Sequence, residues 1–342
     1  MAGVRYGDRA SGDRISGDRG IPGPEAASDR RFASYASQMN FPHPYRKAAA
    51  TLPVALAFVL GFALPSPAAD TFPSQDACHV SDNNLPSGNC GPFTQVFAEN
   101  FNGDTVALGS FSDCDHNVDT PSAYCGGLPS DYQAEFWAYP AGWYDTANPK
   151  NHSNGNTRTF GGEYRADKTV SVTPNGYDGG GTLVVDMYRP TSGDNYVGAV
   201  VPKKCTNQTY GKYSERFRVT KADPGFKMAH LFYQDPYEMD FPEAGGSFQD
   251  DTLEGFTHPG EESVDTGAAW LNVTHTTSIE WTPDQVKYYL DGKLVLTAND
   301  QISDEPMEWV LQNESALSGA YAAVGAHATI ATTWVTCYSY VP

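Results

Sequence analysis

The sequence predicts an all-β fold, a single β-sandwich or barrel, on three observations. Short strand-like runs recur along the chain, an Asp-Gly pair joins two of them as a tight hairpin, and no long helical periodicity competes. Composition agrees. Aromatic residues make up 13% of the 342 and charged residues only 18%, while Gly (33) and Pro (24) are plentiful, as a fold with many turns requires.

In chain order, residues 1–38 read as a low-complexity extension, not part of the mature fold. Gly7-Asp8-Arg9, Gly12-Asp13-Arg14 and Gly17-Asp18-Arg19 repeat with almost no apolar content, and Met39 is the more natural start. Residues 39–69 read as a secretory signal peptide. Arg46 and Lys47 supply the basic end, 48–64 the apolar run, and Ser66-Pro67-Ala68-Ala69 the small residues for cleavage. The run is short for a membrane anchor, contains Pro53 and lacks a basic stop. The expectation is therefore a secreted, extracellular protein with no stable membrane association after cleavage, working as a monomer.

Residues 70–342 read as one domain. All six cysteines fall there: Cys78, Cys90, Cys114, Cys125, Cys205 and Cys337. An even number in an exported chain implies disulfides, and local loops favour Cys78–Cys90 and Cys114–Cys125, leaving Cys205–Cys337 among the 15 conceivable pairings. Strand-like runs fall at 94–101, 182–188, 210–219, 226–233, 271–281, 286–290, 293–297, 309–312 and 333–340. Asp291-Gly292 sits between two of them and supplies the positive φ angles of a two-residue hairpin turn. Gly179-Gly180-Gly181 leads into a strand-like run and reads as a turn, because no helix follows to receive a phosphate.

The formal net charge is −19, and beyond position 69 there are 14 basic against 36 acidic residues. Such a surface repels nucleic-acid phosphates and anionic membranes, and disfavours sulfated or uronic polysaccharides. Gly-x-Ser-x-Gly, His-Glu-x-x-His, Cys-x-x-Cys and phosphate-cradling glycine loops do not occur. Four sequons begin at Asn151, Asn207, Asn272 and Asn313.

One short stretch carries chemistry. Glu238, Asp240 and Glu243 lie within Glu238-Met239-Asp240-Phe241-Pro242-Glu243. In a strand, Glu238 and Asp240 share a face. A β-bulge at Phe241-Pro242 adds the residue needed to bring Glu243 to the same face, and proline is tolerated in sheets mainly at bulges and edges. Three carboxylates in a row suit glycoside cleavage, in which a retaining enzyme needs two carboxyl groups about 5–5.5 Å apart. Crowding splits their protonation, so one can serve as nucleophile and another as acid. The plain alternative is a solvated acidic stretch.

Tyr237-Glu238-Met239-Asp240-Phe241-Pro242-Glu243 resembles the active-site strand of glycoside hydrolase family 16 in its longer, bulged form, commoner among laminarinase-like and agarase-like members. The similarity extends to 96–103, to Tyr210-Gly211-Lys212-Tyr213-Ser214-Glu215-Arg216, to Thr257-His258 and to Ile279-Glu280-Trp281 through Asp291-Gly292, in the family's order. It implies a concanavalin-like β-jelly-roll sandwich of two antiparallel sheets with a glycan groove across one sheet. It also implies retaining double displacement with Glu238 as nucleophile, Glu243 as acid/base and Asp240 assisting; the near-symmetric motif does not itself say which Glu takes which part. The expected substrate is a neutral β-linked polysaccharide, foremost an endo-β-1,3- or β-1,3-1,4-glucan. A cell-wall transglycosylase, a galactan or agar hydrolase, and a non-catalytic carbohydrate-binding protein are the alternatives. No cofactor is required. Many members bind a structural calcium through an Asp in the last strand, but Thr332-Thr333-Trp334-Val335-Thr336-Cys337 holds no acid, which argues against that ion here.

Candidate substrate contacts are His258, His230, Phe232, Trp143 and Gln312, with Trp137, Tyr139 and Trp270 as further groove aromatics and Asn313 beside Gln312. Core packing is the competing role for each aromatic, and Trp281, Trp309 and Trp334 read as core. The family's usual Trp-Pro-x-Phe-Trp run is replaced by Gly225-Phe226-Lys227-Met228-Ala229-His230-Leu231-Phe232-Tyr233. The segments 114–143 and 245–258 read as the groove loops that choose the linkage.

Overall fold

The computed structural model describes residues 74–76 (backbone only), 80, 82–103, 105–115, 123–151, 158–177, 180–245 and 252–342. The extension, the signal peptide and Cys78 lie outside these residues. Strands β1 (Ser74–Asp76), β2 (Leu85–Ser87), β3 (Phe93–Glu99), β4 (Cys114–Asp115) and β5 (Tyr124–Cys125) precede a short helix α1 (Ser130–Glu135). Then come β6 (Phe136–Ala138), β7 (Gly162–Tyr164), helix α2 (Ala166–Thr169), β8 (Val170–Thr173), β9 (Thr182–Tyr188) and β10 (Asn195–Pro202). The longer strands follow: β11 (Gly211–Ala222), β12 (Phe226–Gln234), β13 (Tyr237–Gly245), β14 (Thr252–His258), β15 (Ser263–Ala269) and β16 (Thr274–Trp281). The last are β17 (Val286–Leu290), β18 (Lys293–Ala298), β19 (Glu308–Ser315) and β20 (His327–Tyr340).

The strands form a jelly-roll sandwich. One sheet runs β15-β14-β13-β12-β19-β10, with β6 on the far side of β10. The other runs β9-β20-β11-β16-β17-β18, with β8 on β9 and β3 on β20. Strand β10 belongs to both, meeting β19 through Gly198–Val200 and β9 through Tyr196. These pairings are antiparallel, so each strand alternates one inward and one outward residue.

Aromatic side chains fill the space between the sheets. Phe232 of the first sheet meets Tyr213 (centroids 4.2 Å apart) and Trp281 (6.2 Å) of the second, and Phe241 stacks on Tyr288 at 4.9 Å. Trp281, Trp309 and Trp334 are fully buried, as expected of strand tryptophans. The indole N–H of Trp281 donates to the Ser303 carbonyl and that of Trp334 to the Asp82 carbonyl, so neither polar tip is buried unpaired.

The Asp-Gly hairpin is present: Leu290 pairs with Lys293, with φ of 49° at Asp291 and 76° at Gly292. Disulfides join Cys114 to Cys125 and Cys205 to Cys337, and Cys90 is also disulfide-bonded. The run expected from 271 starts at Thr274, because Asn272 adopts φ 61°, outside the strand region. The segment 245–258 is not simply a loop. Its second half is strand β14, paired with both β13 and β15. Likewise 114–143 carries β4, β5, α1 and β6. Among the sequons, the Asn313 side chain is fully buried and donates to the Leu311 carbonyl, which removes it as a glycan acceptor.

Candidate active site

The register around β13 decides the face of its acids. Across β12, the partners of Glu238, Asp240 and Glu243 are Tyr233, Leu231 and Ala229, each two residues from the next. Across β14, the register slips between Asp240 and Glu243 as well. The β-bulge expected at Phe241-Pro242 is therefore present, and it puts all three carboxylates on one face. From Tyr233 to Ala229 the strand advances roughly 13 Å, a span that two glutamate side chains can close to about 5 Å only by leaning together. Gly255 of β14 completes the support beneath. A Cβ there would stand 2.9 Å from the rings of Phe241 and Tyr288, so only glycine lets the stacked pair sit behind the bulge.

The face can be followed strand by strand. Glu238 lies between His258 on β14 and Tyr233 on β12, and Tyr233 is followed by Glu308 on β19. Asp240 lies between Phe256 and Leu231, followed by Val310. Glu243 lies between Glu254 and Ala229, followed by Gln312 and then Ala199 on β10. Lys227 and Glu314 form the next cross-strand pair.

Protonation is split along the row. Burial raises Glu238 to about 7, partly offset by a hydrogen bond from Asp240. Asp240 is pushed well above the ordinary carboxyl value by burial and by the Glu238 and Glu243 charges. Both shifts favour the protonated form of Asp240, with its O–H donating to the Glu238 carboxylate. His258 Nε2 is 3.9 Å from Asp240 Oδ2, beyond hydrogen-bond length. Burial lowers His258 below the ordinary histidine value, against the pull of Glu243 and Glu261, so its imidazole is neutral. Glu308, half-buried, is raised to about 7 by burial.

The expected substrate contacts divide. His258, with 28% of its side chain exposed, and Gln312 lie on the acid-bearing face. His230 and Phe232 do not, which corrects the sequence expectation. Each alternates with a groove-face residue of β12 and points into the sandwich. His230 Nδ1 lies 2.7 Å from Glu215 Oε1 of the other sheet, and both side chains are only 1% exposed. Phe232 is fully buried against Tyr213, Trp281 and Trp309. Trp137, Tyr139 and Trp270 are buried, while half-buried Trp143 packs on Tyr139 with centroids 5.3 Å apart. Tyr139 nevertheless borders the site: burial and the Glu308 and Glu314 charges raise its hydroxyl well above the ordinary tyrosine value.

Lys227, Glu308 and Glu314 are site residues that sequence reasoning missed. A signal for them was present. Lys227 shares the two-residue spacing of Ala229, Leu231 and Tyr233, and both glutamates share that of Val310 and Gln312. The expected run 309–312 stopped short of both glutamates because charged residues look like strand ends.

The family model described as Glycosyl hydrolases family 16 matches residues 169–330. No curated protein matches the chain. Among solved structures, an endo-1,3-beta-glucanase from Streptomyces sioyaensis superposes with a TM-score of 0.52 at 16% identity, covering 75% of this chain and 99% of that one. LamA from Z. galactanivorans, in complex with laminaritriose and laminaritetraose, gives 0.50 at 17% identity, covering 72% and 99%. A pseudo beta-1,3-glucanase of Mycobacterium tuberculosis gives 0.50 at 18% identity, covering 72% and 98%. At these identities the three share the fold. Residues 169–330, which hold the acidic strand and its neighbours on both sides, thus match glycosyl hydrolases family 16.

Proposed function

We propose that the protein is a secreted, retaining, endo-acting glycoside hydrolase that cleaves a neutral β-linked glucan, foremost of the β-1,3 or mixed β-1,3-1,4 type. One observation carries this reading: the bulge in β13 sets Glu238, Asp240 and Glu243 side by side on one sheet face, the arrangement that double displacement by two carboxyls calls for. In this reading the Glu238 carboxylate attacks the anomeric carbon while Glu243 gives its proton to the departing glycosidic oxygen. Water then attacks the glycosyl ester, losing its proton to Glu243, and Glu238 leaves as a carboxylate. Asp240 keeps its own proton and steadies the nucleophile through the shared hydrogen bond.

The glucan choice draws on relatives whose names include endo-1,3-beta-glucanase and laminari-oligosaccharide complexes. It draws also on the 14 basic against 36 acidic residues beyond position 69, a balance that disfavours sulfated and uronic chains. Secretion belongs to the same reading, with cleavage after Ala68 or Ala69 to be checked by N-terminal sequencing of the exported product. Released reducing ends should be screened over laminarin, lichenan, agarose, xyloglucan and a galactan. Activity is expected on the first two and should disappear in Glu238→Gln with folding intact. A Glu238→Gln variant of near-normal activity overturns the assignment, and glycan binding without released ends by the unmutated chain replaces it with a binding protein.

A further inference from the structure

Lys227 lies on the acid-bearing face, and a lysine buried there calls for a physical reason. Its side chain is 7% exposed, and its Nζ stands 3.5 Å from Glu243 Oε1 and 3.7 Å from Glu314 Oε2, whose own side chains are 9% and 0% exposed. Burial works against the ammonium, but the Glu243 and Glu314 charges outweigh it and hold Lys227 above the ordinary lysine value. The charge is therefore permanent over the working pH range.

Glu314 cannot follow the lysine if it moves. Its Oε1 accepts the Tyr164 hydroxyl at 2.5 Å and the Thr146 backbone N–H at 3.2 Å, and its Oε2 accepts the Thr146 hydroxyl at 2.5 Å. Behind it, Asp145 accepts the backbone N–H groups of Gly162 and Ser315, both at 2.8 Å, which anchors the segment bearing Thr146 to the end of β19. The fixed end of the triad is thus Glu314, and the end that belongs to the row of acids is Glu243.

We propose that Lys227, anchored on Glu314, is a positioning residue for Glu243. It pins Oε1, leaves Oε2 as the oxygen that exchanges protons with the glycosidic oxygen and with water, and balances the negative charge left on Glu243 once its proton has gone. The proposal rests on the acid/base reading of Glu243 above. The bonds broken and formed are unchanged; the ammonium neither gives nor takes a proton. A lysine serving only stability would be indifferent to how much help the leaving group needs.

That difference supplies the test. Lys227→Met keeps the length and removes the charge, and Lys227→Arg restores it. Each is compared with Glu243→Gln and the unmutated enzyme on laminarin and on a dinitrophenyl β-glycoside of the same sugar, whose leaving group departs without a proton. Lys227→Met is expected to lose about 10-fold or more in kcat on laminarin, with KM little changed. It should keep a near-normal dinitrophenol burst, and Lys227→Arg should recover part of the laminarin rate. Equal losses on both substrates, or no loss on laminarin, overturn the proposal. If Glu243→Gln cleaves laminarin normally, the acid/base reading itself has failed. A crystal structure of Lys227→Met reads the positioning without any activity: the Glu243 carboxylate should turn from its place beside residue 227, and an unmoved carboxylate overturns the proposal even in a chain that cleaves nothing.

Discussion

At the scale of single residues, the proposed mechanism depends on different protonation tendencies of neighbouring carboxyls of nearly identical intrinsic acidity, and Glu238 and Asp240 are both raised by burial. As the proposed nucleophile, Glu238 must be ionised to attack, and its folded value is raised to about 7. The sign follows directly. As pH falls through about 7, Glu238 takes up a proton, so kcat/KM on laminarin should decline on the acid side of that value. The limb belongs to the Glu238–Asp240 pair jointly, since the two share a hydrogen bond. Asp240 is the donor in the hydrogen bond to Glu238, so Asp240→Asn keeps a donor there and should leave the limb nearly in place. Asp240→Leu removes the donor and should move the limb to higher pH. A pH profile in which both variants shift alike would show that the hydrogen bond is not what tunes the nucleophile. The three carboxylates were legible in the sequence because a proline in an alternating acidic strand specifies a bulge. His230 and Phe232 were misplaced because residues adjacent in a strand point to opposite faces. Which face was the groove depended on a register with β13 that no local pattern reports.

At the scale of elements, the bulge is stabilised from behind. Phe241 stacks on Tyr288, whose hydroxyl donates to the Phe256 carbonyl at 2.6 Å, tying β17 of one sheet to β14 of the other directly under the acids. Gly255 makes room for that arrangement. Gly255→Ala should therefore destabilise the fold by about 1–3 kcal/mol, as overpacking does. Because it pushes on the bulge, it should also lower kcat more than the stability loss explains at temperatures where the variant is fully folded. Thermal melts combined with kinetics well below the melting point check this; full activity there would mean that the bulge tolerates the shift. Such elements were unevenly legible. The hairpin at Asp291-Gly292 and β9 were readable to the residue, since turn chemistry and β-branched runs are local signals. Strand β14 was hidden by Glu254, Gly255 and His258, whose presence is explained by the site and the ring pair, not by strand propensity.

At the scale of the whole molecule, the two sheets must hold their separation for the groove face to keep its shape. The all-β character and the Cys114–Cys125 and Cys205–Cys337 bridges were legible because composition and cysteine spacing are read directly from the chain. The sharing of β10 between sheets was not, since it depends on which strands meet across more than a hundred residues of chain. Cys205, just beyond β10, is joined to Cys337 in β20 of the second sheet, closing a separation of 132 residues, whereas Cys114–Cys125 closes 11. Loop-closure entropy grows with the logarithm of loop length, so the long bridge should stabilise the fold by roughly 2 kcal/mol more than the short one. Replacing Cys205 and Cys337 together by serine should therefore cost about 2–5 kcal/mol, a drop of several degrees in Tm for a domain of this size. The matching Cys114 and Cys125 double replacement should cost visibly less. Denaturant melts of the two variants, each with the other bridge intact, decide the point. A larger loss from the short bridge would mean that the α1–β6 segment, with its buried Trp137 and Tyr139, depends on local enthalpy more than the sandwich depends on its long tie.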